Sequence, residues 1–321
     1  MGKWIFLPLF YLSSALVEAG TILVVESYHS EYVWDKSYTR GLNDVLADSY
    51  ELVHFEMDTK RIPESEFQKR ADSAWSMYKK ISPDLVVLAD DNSLKYLGHK
   101  FVDTQVPVVY LGINANPRAY GVAKATNFSG VLERPLFRRS ILMLNEVSPM
   151  EKALLLLDSG ETSKVIKNEM FFGKDSIVLG GTHVDIKLVS QFEEWQELVL
   201  NSHFNGYDVV IPALYHTISD ISGNYVPPEH VIEWTSQNTP IPPFGFWDFS
   251  IGHTKNIGGY VVSGYEQGAA AGKIARKALE EGERIRPLML NKGQYVFSTN
   301  QLKRWAIKLP EHIASEASFI D

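Results

Sequence analysis

Five times along this chain a short run of β-branched residues and leucine is cut off by small or polar residues and followed by a segment of helical spacing. The runs are TILVVESYHSEY from Thr21, DLVVLADDNSLKYL from Asp84, VPVVYLGINANP from Val106, KALLLLDSGETS from Lys152 and YDVVIPALYHTI from Tyr207. Runs apolar at every position, not at every second one, belong to strands covered on both faces, which predicts a parallel sheet between layers of helices. In open α/β sheets ligands sit beyond the carboxyl ends of the strands. The polar residues that stop each run are therefore the candidate functional residues.

The first half reads as strand Ile22 to Val25, a helix from about Lys36 to Leu46, strand LVHFEMDT, an amphipathic helix in SEFQKRADSAWSMYKK, and strand Leu85 to Leu88. A helix then starts near Ser93, with Asp91 or Asn92 as its cap, before strand Val108 to Leu111 stops at Gly112. Such a β-α-β series predicts right-handed crossovers. NFSGVLERP, from Asn127 to Pro135, breaks the rhythm and reads as a crossing to a second lobe. There the series resumes, with LFRRSILMLNEV a helix, ALLLLD a strand, Lys164 to Met170 a helix, HVDIKLV a strand, FEEWQELVLNSH a helix and DVVIPAL a strand. Proline and glycine from Ile241 to Gly259 predict irregular chain there, and Glu266 to Glu280 is an Ala-rich helix stopped by Gly282. The reading is α/β with two Rossmann-like lobes, residues 20–133 with about 260–287 in one and 134–259 in the other. The tail 288–321, with a short strand and a helix around FSTNQLKRWAI, is left without a lobe.

Lys3, an apolar stretch from Trp4 to Leu12 and then SSALVEAG make residues 1–19 a secretory signal peptide, cleaved between Ala19 and Gly20. The apolar part is shorter than the ~20 residues of a spanning helix. The mature chain is expected in the periplasm. With no cysteine, disulfides, thiolate zinc sites, thiol nucleophiles and a lipid-bearing cysteine are excluded. A net charge of -8 without a basic stripe argues against a nucleic-acid partner. GxSxG, GxxxxGK[ST], HExxH and GxGxxG are absent and the nine histidines are dispersed, so the expectation is no enzyme, no cofactor and no metal. A hydrolytic alternative would rest on Asp90 and Asp91, but adjacent residues after a strand usually point apart.

The strand ends supply the candidate ligand contacts. After the first strand come Ser27, Tyr28 and His29, with Tyr32 and Trp34 either facing the cleft by ring stacking or packing under the next helix. Asp58 ends the second strand, with Lys60 and Arg61 close enough to pair with it. Asp90, Asp91 and Asn92 end the third, as acceptors for hydroxyl or ammonium groups or as helix caps. Gly112 allows close backbone approach after the fourth, and Asn114 offers both donor and acceptor. On the second lobe the matching positions are Asp158 and Ser159, then Ala213 and Tyr215, while Trp247 and Asp248 fall at the return crossing, Trp247 as an aromatic platform.

Taken together, ILVVESYHSEYVWDKSYTRGL, DLVVLADDNSLKYL, VPVVYLGIN, FSGVLERP and FGFWDFSIGHTKNIGGYVVSGYEQGAAAGKIARKAL resemble type I periplasmic solute-binding proteins, over about Thr21 to Leu309. The likeness is to the branch found as ABC-transporter substrate-binding proteins and as periplasmic sensor domains of histidine kinases and diguanylate cyclases. It implies a clamshell that closes about a multi-segment hinge on one small molecule, as a monomer, and presents the closed form to a membrane ABC permease. The alternative it implies is a ligand-sensing subunit serving a membrane sensor protein.

Overall fold

The computed structural model describes residues 20–122, 124–282 and 286–321, so the predicted signal peptide lies outside the described residues. In the first lobe the chain runs β1 (Gly20–Glu26), α1 (Val33–Leu46), β2 (Tyr50–Glu56), α2 (Phe67–Ile81), β3 (Leu85–Ala89), α3 (Asp90–Leu97), β4 (Val108–Ile113) and β5 (Phe128–Leu132). The second contributes α4 (Phe137–Val147), β6 (Lys152–Asp158), α5 (Glu161–Phe171), β7 (Ser176–Leu179), β8 (Thr182–Val189), α6 (Phe192–Leu200), β9 (Val209–Leu214) and α7 (Pro228–Asn238). Then follow β10 (Gly258–Val261), α8 (Gly264–Glu281), β11 (Leu288–Met289), β12 (Gln294–Ser298), α9 (Thr299–Arg304), α10 (Glu311–Glu316) and β13 (Ser318–Ile320). Among the described residues no helix is long and apolar enough to cross a membrane.

The first sheet has the order β11-β5-β4-β3-β1-β2, every neighbour parallel. Its all-apolar runs have the burial they predict. Ile22, Val24, Leu85 and Val87 pack on one face with Tyr38 and Leu42 of α1 and Ile274 of α8. Leu23, Val25, Val86 and Leu88 pack on the other with Ala71 and Ala74 of α2 and Leu94 of α3. Period-two alternation thus feeds two cores instead of a core and a surface.

The second sheet, β7-β8-β6-β9, is parallel except at its edge pair β7/β8. A small sheet, β10-β12-β13, adjoins it through the extended chain before Trp247. In that chain Phe244 N–H donates to Val210 O at 2.9 Å and Gly245 N–H to Gly258 O at 3.0 Å. The stretch expected to be irregular is therefore partly extended. Its prolines do not prevent this, because Phe244 and Gly245 supply the donors. The other departure is β5, which lies inside the segment expected to be a crossing. Ser129 and Gly130 interrupt its apolar run, yet both are buried, and Gly130 lies directly against the Tyr110 ring and carbonyl of β4.

The chain passes between the sheets after Leu132, returns after Val261 and passes over again after Met289. Three such strands are held by cross-bonds. Ser140 Oγ donates to Tyr260 O at 2.7 Å, Arg139 to Asn291 O at 2.6 Å, and Gly293 N–H to Tyr260 Oη at 2.9 Å.

Helix α8 lies on α1 at backbone contact. A Cβ added at Gly268 would collide with the carbonyl oxygen of Tyr38, and one at Gly41 with that of Tyr265. Neither obstacle is a flexible side chain, so the helices must separate to admit a methyl group. Gly268→Ala should destabilise the protein by about 1–3 kcal/mol despite the better helix propensity of alanine, read as a lower urea midpoint; an unchanged or higher midpoint would refute this packing.

Candidate functional site: a charged aromatic cleft between the lobes

The strand ends of both sheets meet across one cleft. From the first lobe come Tyr28, Tyr32 and Trp34 after β1, Lys60 after β2, Asp90 after β3 and Glu133 after β5. From the second come Thr162 at the start of α5, Leu214 at the end of β9, and Trp247 and Phe249 from the loop before β10. The lobes touch. Tyr28 Oη and Thr162 Oγ1 are 3.1 Å apart, Tyr32 meets His216 edge to face at 4.8 Å between centroids, and Lys95 Nζ lies 3.4 Å from Glu161 Oε2. The central space left is about 20 Å³, room for one water. It is flanked by one recess of about 210 Å³ along Thr59, Asn92 and Gly160 to Thr162, and by another of about 230 Å³ along His29, Arg61, His216 and Tyr225.

The cleft floor holds an unusual number of buried carboxyl groups. Asp90 is 2% exposed, and its Oδ2 has no hydrogen-bond partner among the described residues. Burial, reinforced by Asp35, Glu133 and Asp91, pushes its pKa well above the usual carboxylate range. Its backbone is left-handed, φ 66°, which aspartate tolerates better than most residues. The neighbouring strand makes room for it, since a Cβ at Gly112, φ 68°, would lie 2.9 Å from Asp90 Oδ1. Glu133, 3% exposed, accepts from Trp247 Nε1 at 2.7 Å and from Asn114 Nδ2 at 3.0 Å. Burial outweighs these donors and raises it from 4.5 to about 7. Asp35 lies behind them, fully buried and raised by burial and by Glu26.

Lys60 brings the opposing charge. Its Nζ lies 4.5 Å from the centroid of the Tyr28 ring and 5.6 Å from that of Tyr32. Among the described residues no carboxylate oxygen lies within 4.0 Å of it. Its field reaches both lobes, helping to lower the pKa of Asp158 against the effect of burial, and adding to the burial that holds His216 well below the ordinary imidazole value.

Several strand-end polar residues turn out to hold the loops. Ser27 Oγ donates to Ala89 O at 2.5 Å and accepts the Ser93 N–H at 2.8 Å, so it caps α3 from the neighbouring strand. This corrects the expected cap: α3 starts at Asp90, and no side chain caps it from its own N-cap position. Asp91 accepts from Asn114 N–H, Ala115 N–H and Tyr120 Oη, each at 3.0 Å, and clips the loop after β4. Asp158 accepts from Ser163 Oγ at 2.6 Å, Gly160 N–H at 3.1 Å, His216 N–H at 2.8 Å and Thr217 N–H at 3.1 Å, joining two loops of the second lobe. Ser159 is half-buried beside it. Asp58 pairs with Arg61 at 2.7 Å and lies 3.4 Å from His29 Nδ1.

Ala213 and Tyr215 are buried, Tyr215 stacked on His216 at 4.5 Å, and neither lines the central space. Asp248 is engaged by Ser263 and by the N–H groups of Phe249 and Gly264. Asn92 faces the first recess and donates to Thr59 Oγ1 at 2.8 Å. Lys60, Glu133, Thr162 and Phe249 were not expected at the site. The first is flagged only by being a cation four residues past the end of β2. Glu133 lies inside a segment read as a plain crossing.

Glu133 gives a pH test. Between its unfolded value near 4.5 and its folded value of about 7 the folded chain holds a proton that the unfolded chain has lost, so this carboxyl makes stability fall as pH rises through that window and level off above it. Glu133→Gln removes that slope. From pH 5 to pH 8 the melting temperature of the natural chain should fall relative to the variant by several degrees; a constant difference would show that Glu133 is ionised throughout.

No family model and no curated protein matches this chain. Solved structures do. An ABC domain from Streptococcus pneumonia in complex with L-Trp aligns with TM-score 0.69 at 16% identity, over 95% of this chain and 100% of that one. A ligand-free, open substrate-binding protein with adhesive properties from Clostridium difficile aligns with TM-score 0.64 at 13% identity, over 94% and 99%. A LacI-family transcription repressor from Corynebacterium glutamicum, TM-score 0.54 at 15% identity over 86% and 96%, has the same architecture. At these identities the likeness is one of fold, and the fold is the two-lobed α/β clamshell of the type I periplasmic solute-binding proteins.

Proposed function

We propose that this chain is an exported solute-binding protein that closes on one small ligand between its lobes and presents the closed form to a membrane ABC permease. The observation that carries this reading is the convergence of Tyr28, Lys60, Asp90 and Glu133 from one lobe with Thr162, Trp247 and Phe249 from the other on one buried space. Residues this polar and aromatic are costly to bury without a partner, and a ligand touching both walls would favour the closed state by its differential affinity. A catalytic Asp90/Asp91 pair has no support, since Asp91 is committed to three donors of the β4 loop. The fold likeness to substrate-binding proteins agrees with a binding role.

Ligand-stripped mature protein screened against sugars, amino acids, amines and organic acids should show at least one solute that raises its melting temperature by several degrees. Tyr28→Phe, which deletes the hydroxyl that meets Thr162, should weaken that shift. A screen in which no solute class moves the transition would contradict ligand binding. Permease and ATPase genes beside its own would support uptake; a histidine kinase or diguanylate cyclase gene there would point to the sensing role instead.

A further inference from the structure

Resting on that reading, the geometry points to the chemical class of the ligand. We propose that the cleft takes an organic cation, an ammonium group on an apolar or aromatic body without a carboxylate, with Asp90 and Glu133 as counter-charges, aromatic rings as walls, and Lys60 as the tethered cation that holds the place when the ligand is absent.

Three independent features carry this. First, Asp90 Oδ2 is a buried acceptor with no partner among the described residues and its carboxyl group lines the central space, so a donor is missing there. A hydrogen-bonded cation is the partner that best offsets a buried carboxylate. Second, the walls are rings. Tyr28 and Tyr32 meet edge to face at 5.2 Å, Trp247 and Phe249 stack at 6.3 Å, and Trp34 completes the lining. Ring faces attract a cation, and the rings together cover its hydrocarbon body. Third, a cation already sits there. The Lys60 ammonium lies over the Tyr28 ring without an ion pair among the described residues, the disposition a bound amine would have.

The charges nearby point the same way. Burial holds the carboxyl groups of Asp35, Asp90 and Glu133 high, Asp35 and Glu133 add to the effect at Asp90, and the cations that oppose it are Lys60 for Asp35 and Asp90 and Arg134 for Glu133, so an added cation beside Asp90 relieves the site and an added anion burdens it. Trp34 Nε1 is a second buried group of the lining without a partner among the described residues, and it is a donor. It lies close to Asp90, since one point on Gly112 is 3.6 Å from Trp34 Nε1 and 2.9 Å from Asp90 Oδ1. A ligand carboxylate there would face Asp90, which is why the zwitterion is disfavoured relative to the amine.

The test uses the mature protein, stripped of ligand by unfolding and refolding, and titration calorimetry. The probes are 2-phenylethylamine, cadaverine and choline, set against N-acetyl-2-phenylethylamine, phenylalanine and 3-phenylpropionate. At least one of the three cations should bind, with its neutral, zwitterionic or acidic counterparts at least about tenfold weaker. Asp90→Asn, a residue equally at home in the left-handed backbone, should lose about tenfold or more of that affinity. Lys60→Met, which keeps the length and removes the like charge, should tighten cation binding severalfold, a gain that general damage to the fold would not produce. The proposal falls if none of the cations binds, if the acetylated or acidic probe binds as tightly, or if Lys60→Met weakens the cation. A hit confined to sugars or acids in the wider screen would overturn the ligand class while leaving solute binding intact.

Discussion

A carboxylate taken out of water needs a counter-charge, a set of donors or a proton, and the space between these lobes is organised by that need. Asp91 and Asp158 have donors, three and four of them, and serve as fixed points of the loops. Glu133 has two and Asp90 Oδ2 none among the described residues, and the pKa of both rises. The number of donors, and not the direction of the pKa shift, which is upward for Asp91 too, separates the loop clips from the two acids that line the central space. On the proposed reading closure has an energetic role, because bringing the second lobe over the cleft would complete the desolvation that a ligand then offsets.

The fold was legible because burial on both faces leaves a mark in sequence that no turn or surface strand imitates. The unbroken runs at Leu23, Val86, Val109, Leu154 and Val210 are all strands with buried neighbours on either side. Where the mark is absent the reading fails for a physical reason. Gly130 of β5 is small because Tyr110 fills the space beside it, and the chain before Trp247 accommodates its prolines because Phe244 and Gly245 supply the donors. The split of the tail, β11 on the first sheet and β12 and β13 beside the second, depends on tertiary pairing that local pattern does not encode.

The site was legible as a place and less so as a chemistry. Strand ends did converge, and Tyr28, Trp34, Asp90 and Trp247 line the central space. What sequence could not separate was a ligand contact from a loop clip, since Ser27, Asp91 and Asp158 have the same residue types and the same positions relative to their strands as residues that face the cleft. The distinction lies in the partners, and Ser27 finds one on α3, which begins 63 residues after it. Lys60 was obscured for a similar reason. Beside Asp58 it reads as half of a surface ion pair, whereas Arg61 takes that role and leaves Lys60 to the rings.

The central claim is that the two lobes close on a ligand. Because the chain has no cysteine, spin labels at Lys69→Cys on α2 and Asn168→Cys on α5 would report the distance between lobes without removal of any native thiol. Pulsed electron–electron resonance on protein carrying its endogenous ligand should give one short, narrow distance. The same protein after stripping should give a longer or bimodal distribution, reverting when a solute found to bind is added. A single unchanged distance across all three samples would contradict the account.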